Sequence, residues 1–412
     1  MAQAGLITIV FQLCLYFYDL YDLSRDLSLT ETATRMTQAF SRGCIILGVT
    51  YYSLPTLTTS IRIFWIGYFT TCGIILSWRW AYYFILRKRL FVKNILVIGT
   101  GSFASEIAQE IEDPHDSAYK IISFIGDTNV AFNPNHAPIS AKIPNIAGYC
   151  REQDIELIIL AQDDRRKKTP TKELLACRLN GIIVKQGVDF YETITGKLPV
   201  ERVDPSGIFF SDGFRLGRWT KIIKRIFDIC LSVLGIFLSL PITIVFACLI
   251  PLESPGPIFY LQERIGKRGK TFKIIKFRSM THNAEKDGAV WAKQNDNRTT
   301  RLGHFIRKFR IDELPQMFNV LRGEMSLVGP RPERPVFVEE LSEKIPYYAI
   351  RHHFKPGITG LAQVSYSYGA SVEDALHKLE FDLNYMKNIS IALDLFIIFK
   401  TIKTVLFKKG AR

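Results

Sequence analysis

The longest apolar run in the chain, Ile226 to Leu252 (IFDICLSVLGIFLSLPITIVFACLIPL), restricts the possible folds more than any other feature. A helix needs about 20 apolar residues to cross a bilayer, and this run is long enough. Pro241 sits in its middle, where it removes a backbone donor and favours a kink. Both flanks are basic: Lys221, Lys224 and Arg225 precede the run, and Arg264, Lys267, Arg268 and Lys270 follow it. A simple span would place one of these clusters outside the cell, against the tendency of Lys and Arg to stay on the cytoplasmic side. A helix broken at Pro241, with Ser239 beside the break, can enter and leave by the same leaflet and satisfies both flanks. The expectation is a re-entrant membrane helix whose freed backbone groups find partners at the break.

Residues 1–90 also read as membrane. Apolar segments run from about Ala4 to Tyr18, Gly43 to Leu57 and Ile63 to Leu86, which predicts about three transmembrane helices, with Arg79 near enough to one end to snorkel. The first run ends in Tyr16-Phe17-Tyr18-Asp19, unlike the small-residue cleavage site of a signal peptide. Arg87, Lys88, Arg89 and Lys93 follow the third segment, and Arg25, Arg35 and Arg42 lie between the first two. This asymmetry places everything after residue 87 in the cytoplasm and the amino terminus outside. Near the other end, Ile391 to Phe407 carries Lys400 and Lys403 on an otherwise apolar stretch before Lys408, Lys409 and Arg412. That pattern suits a helix lying at an anionic headgroup surface; the alternative is a core helix with a solvated end.

The charge balance narrows the class of partner. Fifty-three basic residues against thirty-nine acidic ones give +14, which admits nucleic acid, nucleotide phosphates or an acidic membrane face. Residues 1–220 contribute only 23 basic against 21 acidic side chains. Between Arg264 and Arg310, 14 basic residues meet only Glu285, Asp287 and Asp296, so the excess is local. Seven cysteines with no C-x-x-C spacing exclude a zinc site or a disulfide framework and read as reduced, buried thiols.

From residue 91 to 200 the pattern is that of a Rossmann-like α/β domain. Apolar strands at Asn94–Ile98, Ile121–Ile125 and Ile155–Leu160 alternate with helical stretches, which argues for a parallel sheet. Gly99, Gly101 and Ala104 form a tight turn after the first strand, and Asp127 ends the second. Such a turn can bring a pyrophosphate to a helix N-terminus; equally, it can serve packing and bind nothing. The chain has no Tyr-x-x-x-Lys, which counts against a dehydrogenase or epimerase site. Residues 201–220, with Pro205, read as a linker to a third region, 221–412.

The chemistry concentrates in that third region. Asp312 and Glu313 are adjacent and follow Arg307, Lys308 and Arg310. An acid at a helix start among guanidinium groups stays ionised near neutral pH, and an ionised carboxylate can attack phosphorus. Lys276 and Arg278 alternate with Phe277 as on a strand, which puts both on one face. His352 and His353 lack ligand spacing and read as surface or supporting residues.

Four segments carry a family resemblance: Phe272–Met280, Ile311–Val320, Met325–Pro332 and Lys355–Val364. From about Lys224 to the C-terminus the chain resembles the bacterial sugar transferases, the monotopic polyprenyl-phosphate phosphoglycosyltransferases. As a whole it resembles the large members that start exopolysaccharide or O-antigen synthesis, and it is similar to the sugar transferases associated with exosortase systems. The resemblance implies an α+β catalytic domain on the cytoplasmic face of a bacterial inner membrane. It implies that Asp312 attacks the β-phosphate of a UDP-sugar, expels UMP and passes the sugar phosphate to undecaprenyl phosphate. Glu313 matches the second acid, and both acids would organise Mg²⁺. Arg307, Arg331 and Lys355 match phosphate-contacting positions, with Lys276 and Arg278 as further candidates. Large members are expected to dimerise. Many members have Ser directly before the breaking proline, whereas this chain has Leu240 there and Ser239 one place earlier. Large members also commonly have four N-terminal helices where three are expected here, which suggests an absent early helix.

Two rivals define the alternatives. A nucleotide-sugar oxidoreductase would use the Gly99 loop but lacks a catalytic Tyr–Lys pair. A non-enzymatic membrane scaffold or regulator of polysaccharide export would leave the acid pair without a purpose. The basic block lies between the interrupted helix and the acid pair, so nucleic acid is not needed to explain it.

Overall fold

The structure is a computed structural model that describes residues 2–21, 29–57, 61–87, 92–111, 118–127, 137–163, 170–203, 213–214, 216–281, 298–366, 369 and 371–406. The basic residues Arg25, Lys88, Arg89, Lys408, Lys409 and Arg412, most of the expected linker, and residues 282–297 of the basic block lie outside these. The chain divides into two compact units, Met1–Gly187 and Val188–Arg412.

The first unit begins with helices α1 (Ala2–Phe17), α2 (Leu29–Ser53) and α3 (Ile61–Arg87). Aromatic contacts join them: Phe11 lies 4.9 Å from Phe40 and 6.2 Å from Phe64, and Phe40 lies 4.9 Å from Tyr68, ring centre to ring centre. Gly43 permits this approach, since a Cβ there would meet the Phe11 ring at 2.6 Å. Among the described residues, none of these three helices is by itself long and apolar enough to cross a membrane; their apolar stretches are Gly5–Phe17 and Phe64–Trp78. The sequence pattern had suggested three spans. The three helices differ in their fit to a span: α1 rises only about 24 Å against a hydrocarbon core of about 30 Å, α2 carries Glu31, Arg35 and Arg42, and α3, with 27 residues, rises about 40 Å.

A five-stranded sheet completes this unit, with β1 (Lys93–Ile98), β2 (Tyr119–Ile125), β3 (Ile139–Ser140), β4 (Ile155–Leu160) and β5 (Ile183–Gln186) in the order β3-β2-β1-β4-β5. Every pairing is parallel. Helices α4 (Ser102–Ile111), α5 (Ile146–Glu152) and α6 (Thr171–Leu179) connect the strands. β1 is central, and Ile95, Leu96, Val97 and Ile98 are almost fully buried, as expected for a strand covered on both faces.

The second unit opens with most of α7 (Gly187–Thr195). It continues with α8 (Arg218–Glu253), the antiparallel hairpin β6 (Phe259–Ile265) and β7 (Thr271–Phe277), α9 (Arg301–Lys308), α10 (Gln316–Arg322) and β8 (Ser326–Val328). It closes with α11 (Pro335–Lys344), β9 (Gly357–Thr359), α12 (Leu361–Ser365), α13 (Val372–Lys387) and α14 (Ile391–Leu406). β8 and β9 pair in parallel. The boundary expected at residue 200 falls earlier. Glu192 of α7 accepts from Lys387 at 2.6 Å and from Asn384 and Asn388 at 3.2 Å, and Leu198 and Val200 are buried in the main core with Leu379 and Tyr385. The apolar pair Leu198 and Val200 anchors this stretch to the second unit.

The break expected at Pro241 does not occur: α8 is one helix of 36 residues that continues through Pro241. Proline removes a single N–H and crowds the carbonyl four residues back, which bends a helix without ending it when strong helix formers flank it. Ser239 donates to the Ile236 carbonyl at 3.3 Å, one residue short of the Phe237 carbonyl that loses its donor to Pro241. Both ends of α8 dock on the same unit. At the start, Arg225 donates to the carbonyls of Val320 and Leu321, and Asp228 accepts from Ser326 and Leu327. At the finish, Glu253 accepts from the Leu302 N–H, and Ile250 is buried against Phe277 and Ile306. Between them the helix is largely exposed, with Phe237 at 71% and Leu238 at 66% exposure, apart from the buried Ser232 and Phe246 stacked on Phe305. Cys230 and Cys248 are exposed there too, and Cys44 and Cys72 are half-buried, so of the seven free thiols only Cys14, Cys150 and Cys177 are buried as expected.

α14 combines both readings offered for its sequence. Asp394 and Ile397 are buried inward, while Leu395, Phe396, Phe399 and Ile402 are exposed outward. Asp394 accepts from Lys224 of α8 at 2.5 Å and from the Tyr385 hydroxyl at 2.7 Å, which locks the two apolar-faced helices together. Removing one partner of a buried pair leaves the other charge uncompensated, at a cost of about 3–5 kcal/mol. Asp394→Leu therefore lowers the thermal midpoint of the detergent-solubilised protein markedly, and adding Lys224→Met recovers most of the loss.

Candidate functional site

The acid pair lies in a 3₁₀ turn, Ile311–Glu313, between α9 and α10. Arg310 enters it with φ +52°, the left-handed region that turns the chain sharply, and Pro315 then caps α10. Asp312 is therefore not the N-cap of a helix as its sequence suggested. Both acids are buried, with 9% and 8% exposure.

The two carboxylates have different environments. Glu313 Oε1 lies 2.9 Å from Arg331 and 3.5 Å from Lys276, and its Oε2 lies 3.6 Å from Arg310. Burial alone would push its carboxyl up, but Arg331, Lys276 and Arg310 hold it well below the usual carboxylate range. Asp312 accepts no hydrogen bond from any described residue. Burial and then the charge of Glu313 push its carboxyl up to about 6, against Lys276, Arg307 and Arg331. One acid is thus clamped and permanently ionised, and its neighbour is unclamped in an electropositive surround.

Neighbouring elements deliver the cations. Lys276 is the penultimate residue of β7, and burial holds its ammonium below the usual lysine range despite Glu313. β7 is itself tied to α10 by the fully buried Asn319, which accepts from the Ile275 N–H at 3.0 Å and donates to the Lys273 carbonyl at 2.8 Å. Arg307 of α9 is oriented by Ser279 at 2.8 Å and Thr299 at 3.2 Å. Arg331 follows β8 in a loop held from several sides: the Gly357 N–H donates to Pro330 and Arg264 to Pro332. Arg351 holds it too, donating to the Arg331 carbonyl at 3.1 Å and to Asp382 at 2.7 Å while contacting the Tyr348 hydroxyl.

Arg351, Asp382 and Tyr348 escaped the sequence reading. The one available signal was an acid, Asp382, inside the apolar helical stretch Phe381-Asp382-Leu383. His352, next to Arg351, is pushed down to about 3 by burial and by Arg351, which makes it a neutral packing residue.

Two expected phosphate contacts lie elsewhere. Arg278 follows the end of β7, and its buried guanidinium donates to the Ser254 and Pro255 carbonyls past the end of α8. It is a clasp for that turn and does not reach the acid pair. Lys355 lies near Gly323, beside Arg225, rather than among the cations around Glu313.

The Gly99 turn in the first unit is also explained. Gly99 has φ +132°, and a Cβ there would meet the Ala161 carbonyl at 2.1 Å, so only glycine fits. A Cβ on Gly101 would lie 1.8 Å from the Asp163 carboxylate. That carboxylate accepts from the N–H groups of Ser102 at 2.8 Å and Phe103 at 3.0 Å, the first turn of α4. Ala104, the third position of the pattern, is fully buried. The helix N-terminus that would hold a pyrophosphate already holds the chain's own anion. This removes the main support for an oxidoreductase working at that loop.

No group of three or more His, Cys, Asp or Glu side chains converges on a metal position among the described residues. Asp312 and Glu313 are the residues that would hold a Mg²⁺, which commonly takes one or two carboxylates; of the two, Asp312 has the open carboxylate, since both Glu313 oxygens face Arg331, Lys276 and Arg310.

The family model described as bacterial sugar transferase matches residues 219–408, and one described as a CoA-binding domain matches residues 17–168. The UDP-galactose-lipid carrier transferase of Erwinia amylovora is 32% identical over 79% of this chain and 70% of that protein. The chain belongs to the bacterial sugar transferase family. The UDP-N-acetylgalactosamine-undecaprenyl-phosphate N-acetylgalactosaminephosphotransferase of Aeromonas hydrophila is 45% identical over 58% of this chain and 56% of that protein. The undecaprenyl-phosphate glucose phosphotransferase of Komagataeibacter xylinus is 34% identical over 78% of this chain and 61% of that protein. The match thus spans less than two thirds of these last two relatives' length. The three names differ in their sugar, so family membership leaves the sugar open.

Because Asp163 caps α4, Asp163→Ala exposes two N–H groups and costs about 1–2 kcal/mol of stability in this unit. Millimolar dinucleotide leaves the thermal midpoint of the unaltered protein unchanged, which differential scanning fluorimetry can check.

Proposed function

We propose that the protein transfers a sugar phosphate from a UDP-sugar to a polyprenyl phosphate such as undecaprenyl phosphate, at the cytoplasmic face of the bacterial inner membrane. The observation that carries this reading is the asymmetry of the acid pair. Asp312 has the free, buried carboxylate a nucleophile needs, and Glu313 has its charge committed to Arg331, Lys276 and Arg310.

In the first step an Asp312 oxygen forms a bond to the β-phosphorus of the UDP-sugar. The bond from that phosphorus to the bridging oxygen breaks, and UMP leaves with the bridging oxygen and its electron pair. In the second step a phosphate oxygen of the polyprenyl phosphate attacks the same phosphorus and releases the Asp312 carboxylate, giving a polyprenyl diphosphate sugar. Arg331 and Lys276, already fixed by Glu313, and Arg307, fixed by Ser279 and Thr299, offset the charge on the diphosphate as the anions approach. Glu313 keeps those cations in place, and a Mg²⁺ held at Asp312 and Glu313 would supply further positive charge against that of the phosphates. The Arg331 loop is held by buried groups, so its guanidinium pays little reorganisation on substrate binding.

The membrane arrangement follows from the anchors of α8. Both of its polar ends dock on the one unit that carries the acid pair, which supports a placement of both ends on one side of the bilayer with the exposed apolar middle of the helix set into the membrane. The outward apolar face of α14 lies on the same surface. The transferase would then begin assembly of a surface glycan such as an exopolysaccharide or O-antigen.

Membranes containing the protein release UMP when given Mg²⁺, undecaprenyl phosphate and one of a panel of UDP-sugars. Asp312→Asn lowers this turnover by roughly 10⁴-fold or more, the scale of losing an essential nucleophile; near-normal turnover would sink the assignment. The pH profile provides a second check. Asp312 is pushed up to about 6, so the reactive carboxylate is present above that pH, and kcat falls tenfold per unit as pH drops below it. The same shift means that the ionised Asp312 costs stability above pH 6 and that protonation relieves this cost, so Asp312→Asn melts higher than the unaltered protein at pH 8.

A further inference from the structure

A second set of cations stands apart from the acid pair. The Lys355 ammonium and an Arg225 guanidinium nitrogen each lie 3.5 Å from the position of a Cβ on Gly323, which puts the two within about 7 Å of each other. Gly323 itself holds φ +85° at the end of α10, and its missing side chain leaves the space that these two cations border. Lys355 also feels Lys267, on the turn after β6, and Lys224; Asp228 is the one carboxylate among its leading electrostatic neighbours.

The usual counter-charges are committed elsewhere. Asp228 accepts from Ser326 and Leu327, and Asp394 holds Lys224. Among the described residues Arg225 donates only to backbone carbonyls, Val320 at 2.6 Å and Leu321 at 2.8 Å, which leave its full charge unneutralised. Among the described residues, neither Lys355 nor Lys267 has a carboxylate within ion-pair distance. Lys355 is nonetheless half-buried, and burial holds its ammonium below the usual lysine range. A partly desolvated ammonium beside a guanidinium, with no anion of its own, is an unfavourable arrangement unless an external anion completes it.

The position says which anion. Arg225 is the last basic residue at the start of α8, after Lys221 and Lys224, where exposed apolar side chains are already interleaved with the charges: Ile222 is 44%, Ile226 57% and Ile229 38% exposed. In a helix that enters a bilayer, this polar-to-apolar junction sits at the depth of the lipid phosphates.

We propose that Lys355, Arg225 and Lys267 form a second phosphate site, separate from the acid pair, that takes the headgroup phosphate of a membrane lipid. Lys355 supplies a compact point charge and Arg225 a guanidinium held by the α10 carbonyls. Lys267, exposed on its turn, adds a third positive charge that Lys355 feels. The site rests on the membrane reading of α8, but not on the transfer reaction. Its test therefore reads binding rather than turnover.

The full chain is reconstituted in phosphatidylcholine nanodiscs with or without about 20% phosphatidic acid, and the rate of amine acylation at Lys355 is followed by peptide mass spectrometry. The expected result is that phosphatidic acid slows modification of Lys355 at least about fivefold, and that Lys267→Gln removes most of this protection. Equal rates with and without phosphatidic acid overturn the proposal. So does equal protection by the same fraction of a carboxylate-headed anionic lipid, which would reduce the effect to general surface charge. Equal protection by millimolar inorganic phosphate in plain phosphatidylcholine discs overturns the lipid as the source. If Lys267→Gln leaves protection intact, the shared site is wrong. None of these outcomes depends on UMP release, so loss of the transfer reading and loss of this site are told apart.

Discussion

The clamping of Glu313 is the constraint on which the arrangement of the second unit depends. A buried carboxylate is tolerable only when opposite charges and hydrogen bonds replace its lost water, and here Arg331, Lys276 and Arg310 come to one side chain from three separate segments. Each of those segments must therefore be fixed in place. β7 is tied to α10 through Asn319, and the Arg331 loop is held by Arg351 and Asp382 from beneath. The result is a set of cations preorganised by the protein's own anion, next to a second carboxylate that has no such partners.

The same logic governs the apolar elements. α8 exposes a long bare surface, so its position relative to the acid pair is determined by polar contacts at its ends. Lys224, Arg225 and Asp228 hold the start and Glu253 the finish, and each contact is to the unit that carries the acid pair. Lys224 also reaches Asp394, so the outward apolar faces of α8 and α14 are held by one buried ion pair. An exposed apolar surface and the buried acid pair are thereby joined through a short series of buried charges.

In the first unit the glycine-rich turn shows how a nucleotide-like pattern can be satisfied internally. Asp163 does for the N-terminus of α4 what a pyrophosphate does in dinucleotide-binding domains, and Gly101 is needed because that carboxylate comes so close. The spacing of the glycines was visible in the sequence. The anion they accommodate lies some sixty residues away and could only be identified by folding.

Local chemistry made much of the protein legible from its sequence alone. The strands of the sheet read as continuous apolar runs because both faces are covered, and adjacent Asp312 and Glu313 stood out because two acids amid a basic block need a reason. The long apolar helix was equally plain from its length. What the sequence could not determine was the use of each charge. Lys276 and Arg278 look alike two residues apart, yet one faces Glu313 and the other closes the end of α8. Lys355 was grouped with Arg331 by sequence and separated from it in space. Residues 188–200 follow the last strand of the sheet but pack into the second unit, and the helix runs on through Pro241. Apolar periodicity reports burial, which is a property of one segment and its surroundings on average. The partner of a buried charge is a property of two distant segments, and only the tertiary structure decides which two meet.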